Sequence, residues 1–157
     1  MKIIVLSDSH GRAGIIEEIL EQNAEIEHVF FLGDVVRDIE PASLLYPKKR
    51  FYIVRGNCDI FADCPCEAQT TLCGVNIFYC HGHTKGVKYG LDGLKRQAAA
   101  TKARLVLYGH THRSDITYHG GVCYVNPGSV SQARSGRNSY AVVELNEKEI
   151  RPAIITL

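Results

Sequence analysis

Apolar positions along this chain fall into short unbroken blocks, most of them closed by a glycine or serine and then a polar side chain. Lys2 to Ser7 is the first, with Ile3, Ile4, Val5 and Leu6 in succession, as expected for a strand buried on both faces of a sheet. From Arg12 to Gln22 the spacing changes. Ile15, Ile16, Ile19 and Leu20 recur at helical intervals and predict an amphipathic helix. Val29 to Leu32 and Phe51 to Val54 return to the buried-strand pattern, ending at Gly33-Asp34 and Gly56-Asn57. Strand, helix, strand in this order implies parallel pairing beneath a covering helix.

Further along, Gln69 to Leu72 and Val75 to Tyr79 are rich in strand formers and separated by Cys73-Gly74, which predicts a hairpin. Tyr89 to Lys102 carries Leu91, Leu94 and Ala98 on one helical face. Leu105 to Tyr108 is another buried strand, ending at Gly109-His110. Shorter strands are predicted at Ile116 to Tyr118, Val122 to Val125, Tyr140 to Leu145 and Glu149 to Thr156, the last two joined at Asn146-Glu147. The sum is a mixed α/β chain with strands enough for two packed sheets. No repeat or linker divides it, so residues 1–157 are expected to form one domain.

Composition changes this picture little. Hydrophobic residues make up 45% and charged residues 22%, and the net charge is +1, so nucleic acid is not indicated as a partner. The apolar runs are far shorter than the roughly 20 residues that span a bilayer. Only Lys2 precedes the first run, and Asp8 interrupts it before a signal peptide could be completed, so a cytoplasmic location is expected. With no export signal, the six cysteines do not read as a disulfide framework. Cys64-Pro-Cys66 lacks the C-x-x-C spacing of zinc knuckles, and Cys73, Cys80 and Cys123 are expected to be buried in apolar strands.

The chemistry sits where the strands end. Leu6-Ser7-Asp8-Ser9-His10, Leu32-Gly33-Asp34, Arg55-Gly56-Asn57-Cys58-Asp59, Tyr79-Cys80-His81-Gly82-His83 and Tyr108-Gly109-His110-Thr111-His112 each place a metal-capable side chain at a carboxyl end. In open α/β sheets that crevice is where ligands bind. Glycine before Asp34, Asn57 and His110 would let the backbone approach a ligand closely. Mixed nitrogen and oxygen donors without a required thiolate suit manganese, iron, zinc, nickel or cobalt better than calcium or magnesium, and manganese is the first expectation. Asp34, with two oxygens, can bridge two ions, and two ions about 3.5–4 Å apart can clamp a phosphate while a bridging water becomes hydroxide.

In this order, D-x-H, G-D, G-N-[HC]-[DE], H-G-H and G-H-T-H resemble the calcineurin-like metallophosphoesterase superfamily. The resemblance is closer still to its small YfcE-like phosphodiesterase branch, which is related to the small subunit of retromer. Asn126-Pro127-Gly128-Ser129 also looks like this branch. The resemblance implies a four-layer α/β/β/α sandwich of two packed mixed β-sheets. It implies that Asp8, His10 and His112 hold one divalent metal ion and that Asn57, His81 and His110 hold a second, with Asp34 bridging. Asn57, Cys58, Asp59, His81 and His83 would surround the reacting phosphate. The implied reaction is hydrolysis of phosphodiesters, and of some monoesters, by hydroxide held on the dinuclear centre. The implied partner is a small phosphate ester, and exposed sheet edges are compatible with a homodimer. The alternative is a non-catalytic metal-binding or protein-interaction scaffold of the retromer-subunit type.

One position departs from the commoner family pattern: Cys58 stands where many members have histidine. A thiol with a pKa about 8.5 replaces imidazolium poorly as a donor to phosphate, so a slower enzyme favouring good leaving groups is expected unless His83 or a metal-bound water supplies the proton. Taken singly, each motif has a plain reading. Asp8 could cap a helix, and Gly33-Asp34 and Gly56-Asn57 are ordinary turn pairs. Their conjunction at strand ends carries the case. His28 and His119 match no motif, whereas His83 closes the H-G-H motif and is read two ways, as a ligand or as a side chain beside the metals that does not coordinate. Lys48, Lys49 and Arg50 read as a solvated loop, and Arg134 or Arg137 has the chemistry to reach a substrate phosphate.

Overall fold

A computed structural model describes residues 1–157. Two five-stranded mixed sheets lie face to face. The first contains β1 (Lys2–Leu6), β2 (His28–Phe31), β3 (Arg50–Ile53), β9 (Ser139–Leu145) and β10 (Ile150–Thr156), in the order β10-β9-β1-β2-β3. The second contains β4 (Glu67–Leu72), β5 (Val75–Cys80), β6 (Leu105–Leu107), β7 (Ser114–His119) and β8 (Val122–Pro127), in the order β4-β5-β6-β8-β7. In the first sheet β1 pairs parallel with β2, and β2 with β3. In the second, β6 pairs parallel with β5 and β8.

The run Ile3-Ile4-Val5-Leu6 shows why the central strands are apolar throughout. Ile3 and Val5 face the core between the sheets with Phe30, Ile77 and Leu105, and Ile4 and Leu6 face outward beneath α1 (Ala13–Gln22). There they meet Ile16, Ile19 and Leu20, together with Ala42 of α2 (Glu40–Leu45). On the opposite outer face α3 (Asp92–Thr101) lays Leu94 and Ala98 on Phe78, Val106 and Tyr124. The layers are therefore α/β/β/α, as the resemblance implied. No helix is long and apolar enough to cross a membrane.

Several expectations need correction. The α2 helix lies where no element was predicted; it starts at Glu40-Pro41 with no side-chain cap, and Leu44 and Leu45 are exposed, so it shows no apolar periodicity. The third helix begins at Asp92 rather than Tyr89, because Gly90 adopts a φ of 146° and Tyr89 closes a separate turn, its amide donating to the Gly86 carbonyl at 2.9 Å. Cys80 and Cys123 are buried, but Cys73 is exposed at the hairpin tip. Lys49 is not solvated. It is buried, and its Nζ donates to the carbonyls of Asn23, Ala24 and Ile26 at 2.9, 3.3 and 2.6 Å, closing the chain that leaves α1.

Candidate active site

The parallel strands β1, β2, β3, β5 and β6 deliver the five motif loops to one edge of the sandwich. The turns that follow are tight. Of the eight non-glycine residues with positive φ, five are Asp8, His10, Asp34, His110 and His112. Such conformations cost energy and gather where surrounding contacts hold them for function. Glycine is required at three of the motif turns: a Cβ on Gly33 would strike the Gly56 backbone, one on Gly56 the Asp34 carboxylate, and one on Gly109 the Ser7 hydroxyl.

Two groups of donors converge, each with all its atoms within 4.8 Å of one another: Asp8, His10, Asp34 and His112, and Asp34, His81 and His110. Asp34 belongs to both. In the first, His10 Nε2 lies 3.2 Å from His112 Nε2, and Asp8 Oδ1 lies 3.2 Å from that same nitrogen of His112. In the second, His81 Nε2 lies 3.1 Å from His110 Nδ1, 3.2 Å from Asn57 Oδ1 and 3.5 Å from Asp34 Oδ2.

The backs of these side chains are pinned. His81 Nδ1 donates to the Leu32 carbonyl at 2.7 Å, and His112 Nδ1 donates to the Gln132 carbonyl at 2.8 Å. Both imidazoles therefore present Nε2 to the centre, as buried carbonyl partners do for metal-binding histidines. Asp8 Oδ2 accepts from the Ser7 hydroxyl (2.6 Å) and the His110 amide (3.1 Å), and Asp8 Oδ1 is buried with no hydrogen-bond partner. Asp34 Oδ1 accepts from the Cys58 amide at 3.0 Å, leaving Oδ2 inward. Acceptor atoms thus crowd together in a buried space, an arrangement that suits cations.

Electrostatics agree. Burial would raise the pKa of Asp34, but the His81 ring and the Cys58 amide outweigh it and hold that carboxyl well below its ordinary range. Burial would lower the pKa of His81, but Asp34 and Asp8 raise it. His112 is raised, chiefly by its contact with Asp8. His110 is brought down to about 4 by burial, then by His81 and Lys88. The centre stabilises positive charge, and it does so at its middle rather than on every ring.

Three of the expected site residues stand apart from the donor groups. Asp59, expected beside the reacting phosphate, is occupied elsewhere: Oδ2 accepts from the amides of Asp34 and Gly56, both at 2.9 Å, and Oδ1 from those of Val35 (3.0 Å) and Val36 (2.8 Å). It positions the two loops. His83 has its ring 5.4 Å from that of His81 and a buried, unpartnered Nδ1. Cys58 is exposed at the rim, and partial burial and then Asp34 raise its thiol pKa, keeping it protonated near neutrality.

Sequence reasoning missed the supports. Asp38 accepts from the Ser9 hydroxyl at 2.6 Å and the Gly11 amide at 2.7 Å. Ser129 and Ser131 donate to the Asp8 carbonyl at 2.7 and 3.2 Å, and Asn126 donates to the Gly109 carbonyl at 3.0 Å. Asn126-Pro127-Gly128-Ser129 was visible in the sequence as a familiar segment. Its role, fastening the Asp8 and His110 loops, was not.

The model of the calcineurin-like phosphoesterase superfamily domain matches residues 1–148. Phosphodiesterase YfcE of Escherichia coli K12 is 30% identical over 182 aligned positions, covering 96% of this chain and 95% of that protein. A solved structure from Streptococcus pneumoniae, described as a predicted phosphoesterase, superposes with a TM-score of 0.86 at 32% identity, covering 99% of this chain and 88% of that one. Vacuolar protein sorting-associated protein 29 of Schizosaccharomyces pombe is 26% identical over 162 positions, covering 100% of this chain and 84% of that protein.

Proposed function

From its membership of the calcineurin-like phosphoesterase superfamily, we propose that this chain hydrolyses phosphodiesters with two divalent metal ions. Asp8, His10 and His112 would hold one ion and Asn57, His81 and His110 the other, with Asp34 reaching both. The observation that carries this reading is the meeting of two donor groups at one carboxylate. The orphaned Asp8 Oδ1 and the inward Nε2 atoms fit such ions, and the mixture of nitrogen and oxygen suits manganese, nickel, iron, zinc or cobalt. When bound, ions of this kind polarise a phosphoryl oxygen and acidify a water for attack on phosphorus. The preference for diesters is supported by the relative named as a phosphodiesterase.

The chain's own residues set the rest. Leu32 and Gln132 fix the two histidine tautomers through their carbonyls. Ser7 and the Cys58 amide each take one carboxylate oxygen, so that the other turns inward. Buried walls around Asp8, Asp34 and His81 keep the local dielectric low, which strengthens each interaction with a phosphate. The Cys58 thiol, held protonated, is a weak donor and no nucleophile, so activated leaving groups are favoured.

The test is turnover of bis(p-nitrophenyl) phosphate by purified protein supplied with manganese or nickel. Release of p-nitrophenol that vanishes in Asp34→Asn is the expected result. Activity no higher than that of Asp34→Asn, across the whole metal series, would sink the proposal. The second reading, a scaffold sharing the fold, is favoured by the likeness to the sorting protein. Under it the donors still bind ions, and turnover separates the two.

A further inference from the structure

Beside the donor groups opens a cavity of about 500 Å³ whose lining includes Lys88, Tyr108, Thr111, Arg113, Asp115 and Arg134. The loop from Gly109 to Arg113 is its shared wall. His110 and His112 face the donors, whereas Thr111 between them and Arg113 after them face the cavity. Arg134 is tied to the same loop, its amide donating to the His112 carbonyl at 3.0 Å.

None of these three cations forms an ion pair: the chain's salt bridges involve neither Lys88 nor Arg113 nor Arg134. The lining holds one carboxylate, Asp115, whose Oδ2 accepts from the neutral hydroxyls of Tyr108 (3.3 Å) and Thr117 (2.7 Å) and which pairs with none of the three cations. Three cations against one carboxylate leave this concavity with a net positive charge, in a chain whose net charge is only +1. Such a grouping is stabilised by an anion of more than one charge, and arginine suits the paired oxygens of a phosphate. The scissile phosphate does not need them, because the metal-capable donors already form its site.

We propose that the preferred substrate is a phosphodiester carrying a second phosphate, held by Lys88, Arg113 and Arg134 while the scissile group lies over the donors. This rests on the hydrolase reading for turnover, but not for binding. The probe pair is thymidine 5′-(p-nitrophenyl phosphate) with and without a 3′-phosphate. Charge-assisted contacts of this kind are expected to raise kcat/KM about tenfold or more for the 3′-phosphorylated member. In Arg113→Gln/Arg134→Gln the ratio between the two substrates should fall to within about twofold of one, and Lys88→Gln should lower it partway.

Calorimetry of thymidine 3′,5′-bisphosphate against thymidine 5′-phosphate gives a second readout, independent of turnover. A binding preference without hydrolysis of either ester would sink the hydrolase reading and leave this subsite standing. Equal binding of the two nucleotides by the unaltered protein would overturn the subsite. A preference undiminished in the folded double variant would overturn it too, since the second phosphate would then lie elsewhere.

Discussion

His10 Nε2 stands 3.2 Å from His112 Nε2, although 102 residues of sequence separate the two rings. At that distance two imidazole lone pairs must share a proton or face a cation, and a ligand that binds only the folded chain stabilises it. Manganese at a hundred times its dissociation constant should contribute about 2.7 kcal/mol per site. For a chain of this size, that raises the thermal midpoint by about 5–10 °C. Asp34→Asn, which removes the carboxylate common to both groups, should cut the shift by more than half. Melting curves in EDTA and in excess manganese check this; coincident midpoints would contradict it.

Ion binding should weaken in acid. His81 and His112 have raised pKa values: burial opposes the shift at His81 but Asp34 and Asp8 outweigh it, and at His112 the contact with Asp8 leads. Each holds its proton above the ordinary imidazole value of about 6.5, and that proton must leave before Nε2 can face a cation. Affinity for manganese should fall from about pH 8 to about pH 6, and binding near neutrality should release protons, seen as a buffer-dependent heat.

The metal-free fold has the opposite slope from these two rings. A raised folded-state pKa contributes stability that is present below about 6.5 and lost as pH rises through the raised value. His110, brought down to about 4, works the other way and costs stability as pH falls below 6.5. Urea midpoints in EDTA at closely spaced pH values, with His81→Ala and His110→Ala as controls, should show each slope disappear with its ring.

Asp59 should matter for stability before it matters for chemistry. Its two oxygens accept from four backbone amides of the Asp34 and Gly56 loops. Buried amides left without an acceptor cost about 1–3 kcal/mol each, reduced where a water enters. Asp59→Ala should destabilise by about 3–4 kcal/mol, among the larger single-residue effects, whereas Asp59→Asn keeps an acceptor oxygen and should lose less. Denaturant titration of the metal-free protein measures both, and a change under about 1 kcal/mol for Asp59→Ala would refute the role.

The difference between Asp34 and Asp59 shows what a sequence exposes. Asp34 follows Gly33 at the end of an apolar strand, and its chemistry depends on its own carboxylate and place. Asp59 works through the amides of residues 34 to 36, partners fixed only when β2 and β3 lie side by side. The same holds for Asp38 with Ser9, and for Ser129 with the Asp8 carbonyl. Central strands were legible because burial on both faces leaves unbroken apolar runs such as Ile3 to Leu6. The α2 helix was not, since only Ala42 of its six residues is buried. Lys49 looked solvated because nothing local reveals three carbonyls waiting around an ammonium.

Cys58 offers the sharpest test of how the leaving group departs. Its amide holds Asp34 Oδ1, and its exposed thiol lies 3.4 Å from the Asn57 side-chain amide, so the side chain borders the centre without being packed into it. Histidine can be accommodated there, and as imidazolium it would donate a proton far better than a thiol held protonated by burial and Asp34. Proton donation to a leaving oxygen is worth about 10²–10⁴-fold, and most of it is realised when that oxygen is strongly basic. In a series of aryl methyl phosphodiesters with phenols of increasing pKa, log kcat/KM of the unaltered protein should therefore fall steeply. In Cys58→His the slope should be shallower, with a gain of about 10–100-fold at the most basic phenol and little at p-nitrophenol. The advantage should also disappear above the pKa of the introduced imidazole, which separates proton donation from a change in phosphate binding. Parallel slopes for the two proteins would mean that the leaving oxygen does not face this residue.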